Sequence, residues 1–259
     1  FFLAFRRLDV IHFTHFNVPF FCFNKFILTI HDLIISHYPD SRATTLPLFI
    51  YRLKLVFYNL LIGRVARRAL RIVAVSEFTK QDIIDLLKIE SQKISVIYEG
   101  MSLPIVKENG SQLLEKLEFS DNFLLYVGSA YPHKNLEKLL DAFVIILQSR
   151  PDLQLVLVGK INFFYRRLME YAKKLEKLNG LNQDGKPKII FTDYLSDAQL
   201  SLVYQKASAY VFPSLIEGFG LPPLEAQSHL VPVISSNRSC LPEILADSAI
   251  YFDPENTQE

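Results

Sequence analysis

The chain has 259 residues, half of them hydrophobic, so it is long enough to bury a sizeable core in one large domain or two smaller ones. Its 28 lysine and arginine residues nearly balance its 27 aspartate and glutamate residues, which gives no overall field to attract nucleic acid. The two cysteines, Cys22 and Cys240, lack the spacing of a disulfide framework or a metal site, which favours a reducing, cytoplasmic compartment.

The first hundred residues alternate short apolar runs with helix-periodic segments. We predict strands in "DVIHF", "FILTI", "IVAV" and "ISVI", and helices near residues 49–70 and 77–87. The sequence starts without a methionine and runs directly into the first strand, so we expect this domain to be incomplete. The polar stretch 101–121 then interrupts the alternation and is interpreted as a linker.

The segment 41–76 carries seven basic residues and no acidic one. They are Arg42, Arg52, Lys54, Arg64, Arg67, Arg68 and Arg71. The apolar residues between them predict an amphipathic helix that contacts the anionic inner face of a membrane or a lipid-phosphate acceptor. A solvated helix face is the alternative interpretation of the same pattern. No uninterrupted apolar run of about 18 residues occurs, so a membrane-spanning helix is not predicted.

From residue 122 the alternation of strands and helices resumes. We predict strands in "FLLYVG", "LQLVLVG", "KIIF", "AYVFP", "VPVIS" and "AIYF", and helices near residues 135–149, 163–178, 197–206 and 222–229. Apolar strands separated by helices indicate parallel sheets that are covered on both faces. We therefore expect an α/β fold with two Rossmann-like domains, 1–100 and 122–259, of which the second lacks its last helices.

The loop after "AYVF" suits a ligand that carries phosphates and hydroxyls. Gly218 and Gly220 let the backbone approach a ligand, and the two prolines that follow fit a first helical turn, whose free N–H groups attract an anion. Glu217 and Glu225 flank this turn, and carboxylates accept hydrogen bonds from ribose and sugar hydroxyls. A nucleotide sugar has both groups. A solvated loop residue and a helix-terminal charge are the alternative interpretation of the two glutamates.

Four stretches, in this order, resemble those of retaining glycosyltransferases of the family 4 type, the glycosyl transferases group 1. They are "ILTIHDLI", "IVAVSEFTKQDI", "LLYVGSAYPHKNLEKLLDAF" and "YVFPSLIEGFGLPPLEA". The resemblance implies the GT-B architecture, in which the parallel sheets of two Rossmann-like domains face each other across a cleft. It also implies transfer of a hexosyl unit from a nucleotide sugar to a saccharide or lipid-linked acceptor hydroxyl, in bacterial polysaccharide or lipid-linked glycan synthesis. The "PHKN" form is similar to that of mannosyltransferases, which makes mannose from a GDP donor the first expectation.

The resemblance also implies roles for single residues. Glu217 resembles the glutamate that holds hydroxyls of the donor sugar near the reacting carbon, and Glu225 resembles the one that binds the nucleotide ribose. Lys134 resembles the lysine that neutralises the donor phosphates as the nucleoside diphosphate leaves. His31 resembles the histidine that lines the cleft from the acceptor side, and Asp32 is expected to orient it. The other donor-binding positions are Gly128, Gly218, Phe219, Gly220 and Leu221.

Alternatives for the charged residues stay open. Lys134 is also explained as a solvated charge at a helix start, and His31 as a hydrogen-bonded histidine at a strand end. Many relatives carry an arginine after the glycine of the "VG" strand, where this chain has Ser129. Lys134 therefore acts alone, or with Arg238 or another basic residue.

Alternatives for the activity stay open as well. A GT-B epimerase or phosphorylase, and an inactive nucleotide-binding remnant, share the scaffold. An NAD-dependent dehydrogenase is disfavoured because no G-x-G-x-x-G opens a helix after a strand. His12 and His15 have no carboxylate or cysteine cluster to complete a metal site, and no Asp-x-Asp pair occurs, so neither a metal ion nor a cofactor is expected.

Overall fold

A computed structural model describes residues 8–19, 22–101, 119–181 and 187–259. The chain folds into two compact units, and each is described by itself. The first comprises the described residues of Phe1–Gly100 together with Ile216–Phe219, and the second comprises those of Met101–Leu215 and Gly220–Glu259. Of the predicted linker 101–121, residues 102–118 lie outside the described residues.

The first unit contains a parallel sheet of four strands in the order β1-β2-β3-β4. The strands are β1 (Ile11–Phe13), β2 (Phe26–Ile30), β3 (Arg71–Ala74) and β4 (Ile94–Val96), and the helices are α1 (Ile34–His37), α2 (Leu48–Arg68) and α3 (Glu77–Leu87). Leu28, Ile62 and Ile72 are fully buried in its core. The four strands predicted from apolar runs are confirmed, because strands of a parallel sheet bury apolar residues in their interior.

The helix α2 is apolar on two opposite sides. Tyr51, Ile62 and Val65 face the core and are buried. The other side carries an outer apolar row at the spacing of one helix face. The row consists of Phe49, Leu53, Val56, Phe57 and Leu60, all of them exposed. The predicted helix is confirmed. Its solvent-facing side, however, is mainly apolar along this row, whereas an amphipathic helix would be polar there. No helix within the described ranges combines the length and the hydropathy that crossing a bilayer requires.

The second unit contains a parallel sheet of six strands in the order β10-β9-β8-β5-β6-β7. The strands are β5 (Phe123–Val127), β6 (Gln154–Val158), β7 (Ile189–Thr192), β8 (Ala209–Phe212), β9 (Val233–Ser236) and β10 (Ala249–Phe252). The helices are α4 (Leu136–Ile146), α5 (Phe163–Asn179), α6 (Asp197–Lys206), α7 (Leu221–Ser228) and α8 (Leu241–Leu245). Each strand and helix predicted for this part is present, whereas α8 was not predicted because five residues are too few to show a helical period.

The strand order of the second unit reverses direction at β5. The strands β6 and β7 lie on one side of β5, and β8, β9 and β10 lie on the other. In open parallel sheets, ligands bind beyond the carboxyl ends of the strands at such a reversal. The loops that leave β5 and β8 are therefore the place for a ligand site in this unit.

Candidate active site

Three buried tyrosines hold the backbone of the loop that leaves β5. Their hydroxyls donate to three consecutive carbonyl groups, from Tyr210 to Val127 (3.1 Å), from Tyr165 to Gly128 (2.9 Å) and from Tyr126 to Ser129 (2.8 Å). Gly128 has a φ of 151°, which favours glycine. A Cβ atom at Gly159 would lie 2.2 Å from the Gly128 carbonyl oxygen, so this arrangement needs a second glycine. Gly128 was predicted from the sequence, but the tyrosines were not, because their pattern is that of ordinary core residues.

Lys134 ends a short 3-10 helix, Pro132–Lys134, in the same loop. Its ammonium nitrogen lies 5.5 Å from the centroid of the Phe212 ring at the end of β8. The His133 carbonyl accepts a hydrogen bond from the Leu215 amide at 2.8 Å, which joins the loops that leave β5 and β8. Burial, and then the charge of Lys134, lower the pKa of His133 to about 4, so the His133 ring is neutral near pH 7.

Arg238 is the other basic residue considered beside Lys134. Its guanidinium forms ion pairs with Asp253 at 2.9 Å and with Glu255 at 3.0 Å, in the turn after β10. A phosphate would have to compete with both carboxylates for this group. The geometry therefore gives no support to the expected help from Arg238.

The helix α7 begins directly after the loop that leaves β8. Gly220, with a φ of 95°, precedes the helix, Leu221 is its first residue, and the two prolines lie in its first turn. Glu225 lies on α7, is partly buried and accepts a hydrogen bond from the Tyr204 hydroxyl at 3.3 Å. Burial raises the pKa of Glu225, and the bond from Tyr204 opposes that rise.

The segment Ile216–Phe219 packs within the first unit. Glu217 is buried, with 7% of its surface exposed. Gly218 approaches His31 so closely that a Cβ atom would lie 1.9 Å from the His31 carbonyl oxygen, so only glycine fits. The Phe219 ring lies 5.9 Å from the Tyr98 ring. The structure therefore brings His31 together with the segment that carries Glu217.

Two buried hydroxyls hold the Gly218 carbonyl. Ser76 donates to it at 2.7 Å and Thr79 at 3.2 Å. Ser76 is also the N-cap of α3, where its side-chain oxygen accepts the Thr79 amide at 3.0 Å. Both residues belong to the stretch "IVAVSEFTKQDI", whose sequence predicts no contact with the Gly218 loop. This stretch starts α3 and fixes the Gly218 backbone at the same time.

The His31 ring has an oxygen at each of its two nitrogens. Nδ1 lies 2.6 Å from Oε1 of Glu99, and Nε2 lies 2.8 Å from the Thr14 carbonyl oxygen. A carbonyl oxygen only accepts, so Nε2 must carry a hydrogen. The ring is therefore held at both nitrogens, and Nε2 donates to the Thr14 carbonyl.

The predicted partner of His31 is wrong. The Asp32 carboxylate accepts the Ile34 amide at 3.0 Å and so holds the start of α1, whereas Glu99 contacts the His31 ring. Glu99 was missed because it lies 68 residues further along the chain. The available signal was its place just after β4, since carboxyl ends of parallel strands lie at one edge of the sheet.

The two histidines considered for a metal site have other partners. His12 Nε2 lies 2.8 Å from the Thr29 hydroxyl, and the His15 ring lies tilted against the Phe16 ring with centroids 4.1 Å apart. Within the ranges that the structure describes, no group of three or more His, Cys, Asp or Glu side chains could hold a metal ion. Each of these histidines is thus explained by contacts inside the first unit.

Comparisons with known sequences match both parts of the chain. Residues 113–259 match the model of Glycosyl transferases group 1, and residues 2–103 match that of Glycosyltransferase Family 4. O-antigen chain mannosyltransferase RfbU of Salmonella typhimurium is 30% identical over 251 residues, which are 94% of this chain and 60% of RfbU. Serotype-specific mannosyltransferase WbdA of Escherichia coli is 31% identical over 200 residues, which are 74% of this chain and 24% of WbdA.

Solved structures show the same fold. HepE of Anabaena, solved in complex with UDP and glucose, has a TM-score of 0.75 and 20% identity over 97% of this chain and 66% of HepE. Sucrose-phosphate synthase of Thermosynechococcus elongatus has a TM-score of 0.70 and 20% identity over 96% of this chain and 62% of that protein. The chain thus spans about 60 to 66% of the length of RfbU and of these two proteins. The predicted α/β fold of the GT-B class is confirmed. Because the group 1 model covers more than half of the chain, the chain belongs to the glycosyl transferases group 1 family.

Proposed function

We propose that the protein is a retaining glycosyltransferase, which moves a hexosyl unit from a nucleotide sugar to an acceptor hydroxyl and keeps the anomeric configuration of the sugar. Mannose is the first candidate for that sugar. The observation that carries this proposal is the pair of loops at the reversal of the six-stranded sheet. One loop presents Lys134 and the other leads into the amino end of α7, and the Leu215 amide joins them. A lysine and a helix amino terminus carried by two joined loops suit a diphosphate. The relatives RfbU and WbdA are named as mannosyltransferases, which supports mannose as the transferred sugar. RfbU is named for the O-antigen chain, which supports a role in the assembly of bacterial surface glycans.

The residues of each unit are given separate tasks in this proposal. In the second unit, Lys134 neutralises the charge that grows on the leaving nucleoside diphosphate, and Glu225 accepts hydrogen bonds from the ribose hydroxyls. In the first unit, the buried Glu217 carboxylate accepts hydroxyl hydrogens of the donor sugar, and His31 contacts the same sugar. The transfer is proposed to need no metal ion or cofactor, because Lys134 and backbone amides supply the positive potential.

The experiment that tests these roles compares Lys134→Ala with Glu225→Ala. If Lys134 acts mainly on the leaving group, Lys134→Ala lowers turnover far more than donor affinity. If Glu225 holds the ribose equally before and during the reaction, Glu225→Ala chiefly weakens donor binding, by about 1–3 kcal/mol. Steady-state kinetics with varied donor and calorimetric nucleotide binding measure the two effects.

The exposed Lys138 on α4 supplies a matched control, since Lys138→Ala removes the same charge one helical turn beyond Lys134. It is expected to leave both quantities unchanged. Intact turnover in Lys134→Ala, or unchanged donor affinity in Glu225→Ala, would refute the role of that residue.

We further propose that the outer apolar row of α2 contacts the inner face of a membrane. Phe49, Phe57 and Leu60 are 72%, 62% and 66% exposed, and the basic Arg52 and Lys54 flank the row. Three other basic residues have structural partners. Arg67, Arg68 and Arg71 donate to backbone carbonyls of their own unit. Apolar side chains between basic ones favour an interface of anionic lipid.

Sedimentation with phosphatidylglycerol vesicles tests the membrane contact. The double variant Leu53→Gln/Phe57→Gln is expected to bind about tenfold less tightly, because two apolar side chains no longer leave water. Leu178→Gln on α5, which also replaces an exposed leucine, is the control and should bind as the unchanged protein does. Equal binding of all three proteins would exclude the row as a membrane contact.

A further inference from the structure

We propose that Tyr165 and Tyr126 are positioning residues, which turn the amide groups of Ser129 and Ala130 toward the diphosphate of the nucleotide sugar. The inference rests on the proposed function for the identity of the anion. It adds a binding element, two backbone N–H groups, and names the side chains that hold them.

The direction of the two amides follows from the carbonyls that the tyrosines hold. The described residues contain no cis peptide bond, and in a trans peptide the N–H of one residue points opposite to the preceding carbonyl. The Gly128 carbonyl faces the Tyr165 hydroxyl and the Ser129 carbonyl faces the Tyr126 hydroxyl. The Ser129 amide therefore points away from the Tyr165 hydroxyl, and the Ala130 amide points away from the Tyr126 hydroxyl.

The preceding peptide group, between Val127 and Gly128, is held in the same way, but its amide already donates to the protein. The Val127 carbonyl accepts the Tyr210 hydroxyl of β8, and the Gly128 amide on its other side donates to the Val158 carbonyl of β6 at 3.0 Å. Within the residues that the structure describes, neither the Ser129 nor the Ala130 amide donates to a protein oxygen. Both residues are partly exposed, so a ligand can reach them.

The burial of the two tyrosines favours a fixed conformation of this loop. Tyr126 and Tyr165 are fully buried. Burial raises the pKa of Tyr165, so its hydroxyl stays protonated and can donate. Successive backbone N–H groups can form an anion-binding concavity, and donors that are fixed in advance do not reorganise when charge develops. The loop leaves β5 at the reversal of strand order, where a ligand of this sheet is expected.

Single tyrosine-to-phenylalanine variants test the inference, because each removes one oxygen and keeps the ring. Tyr165→Phe and Tyr126→Phe are compared with Tyr210→Phe, which releases a carbonyl whose companion amide is already bonded to Val158. Tyr171→Phe is a second control, since its hydroxyl donates to Asp141 at 2.6 Å outside this loop. Calorimetry measures binding of guanosine, uridine and adenosine diphosphates and of the three nucleosides.

We expect Tyr165→Phe and Tyr126→Phe to bind the preferred diphosphate about tenfold less tightly, the scale of one charge-assisted hydrogen bond, and the nucleoside as before. Tyr210→Phe and Tyr171→Phe should retain the affinity of the unchanged protein. Equal affinity in all four variants, or equal losses for diphosphate and nucleoside, overturns the inference while the proposed function stands. If the unchanged protein binds none of the three diphosphates, the proposed donor is wrong and this inference falls with it.

A measurement on the unchanged protein covers the case in which a variant does not fold. The amide resonances of Ser129 and Ala130 are followed by NMR while the preferred diphosphate is added. Both should move downfield as the N–H groups donate to phosphate oxygens. Resonances that stay in place at saturating diphosphate contradict the proposed contact.

Discussion

The Glu99 carboxylate is the acidic group that fixes the His31 ring. It lies 2.6 Å from Nδ1, while the Thr14 carbonyl occupies the other nitrogen at 2.8 Å. A ring held at both nitrogens has one orientation. Glu99 therefore belongs with His31 as a positioning residue in the first unit.

Glu99→Gln tests this assignment. Glutamine keeps the size of the side chain but removes its charge, so turnover should fall about tenfold while donor affinity changes less. Nitrogen-15 spectra of the His31 ring should show the change in its hydrogen bonding. Glu77→Gln, in which an exposed pair with Lys80 is lost, serves as the control. Unchanged turnover together with an altered ring spectrum would mean that the Glu99 charge is not used.

The raised pKa of Glu225 predicts a pH dependence of donor binding. Burial favours the neutral carboxyl group, so this glutamate ionises above the ordinary value of 4.5. If Glu225 binds the ribose as proposed, its carboxylate accepts both ribose hydroxyls better than its neutral form does, so affinity should be lost as pH falls through the raised pKa. Tyr204→Phe removes a bond that lowers this pKa, and should shift the loss to a higher pH. Nucleotide affinity measured from pH 7 downward in both proteins checks the shift, and identical profiles would contradict it.

At the scale of elements, the start of α3 does two things at once. Ser76 caps the helix, and Ser76 and Thr79 together hold the Gly218 carbonyl. The helix α6 also begins with a serine cap, Ser196, but that cap forms a capping box with Gln199. The two helices therefore separate the effect of a cap from the effect of the bond to Gly218.

Ser76→Ala should lower the free energy of unfolding more than Ser196→Ala. Loss of a cap costs ~1 kcal/mol in each case, and the buried Gly218 carbonyl loses a partner only in the first. Thr79→Val, which keeps the cap, should weaken the hold on Gly218 without fraying α3. Urea unfolding and amide exchange in α3 measure these effects, and equal losses for both serine variants would show that the bond to Gly218 is unimportant.

At the scale of the whole molecule, donor binding should appear as added stability. A ligand at ~100 times its dissociation constant adds ~2.7 kcal/mol to the free energy of unfolding. For a domain of this size, that raises the melting temperature by about 5–10 °C. Thermal melts with UDP-, GDP- and ADP-sugars should therefore show one selective shift that identifies the nucleotide. Glu225→Ala should need more of that donor for the same shift. Shifts of equal size with all three, or with none, would contradict a specific donor site.

The sequence alone determined the order and kind of the main elements. Apolar strands such as "FLLYV" and "LQLVLV" must be buried on both faces, and the helices between them have enough turns to show their period. The position of Gly128, Lys134, Gly220 and Glu225 at the ends of strands and the starts of helices follows from the same local pattern. These features depend on neighbours in the chain, so one sequence suffices to predict them.

Only the tertiary structure decided which side chains meet. Glu99 contacts His31 across 68 positions, and Ser76 contacts Gly218 across 142. The short helix α8, and the exposure of the outer apolar row of α2 to solvent, could not be predicted from a local pattern either. A hydrogen bond between distant residues depends on strand order and on loop geometry, and both arise from packing of the whole sheet. For this reason the sequence identified the residues that bear charge, whereas the structure identified the hydroxyls and carboxylates that hold them in place.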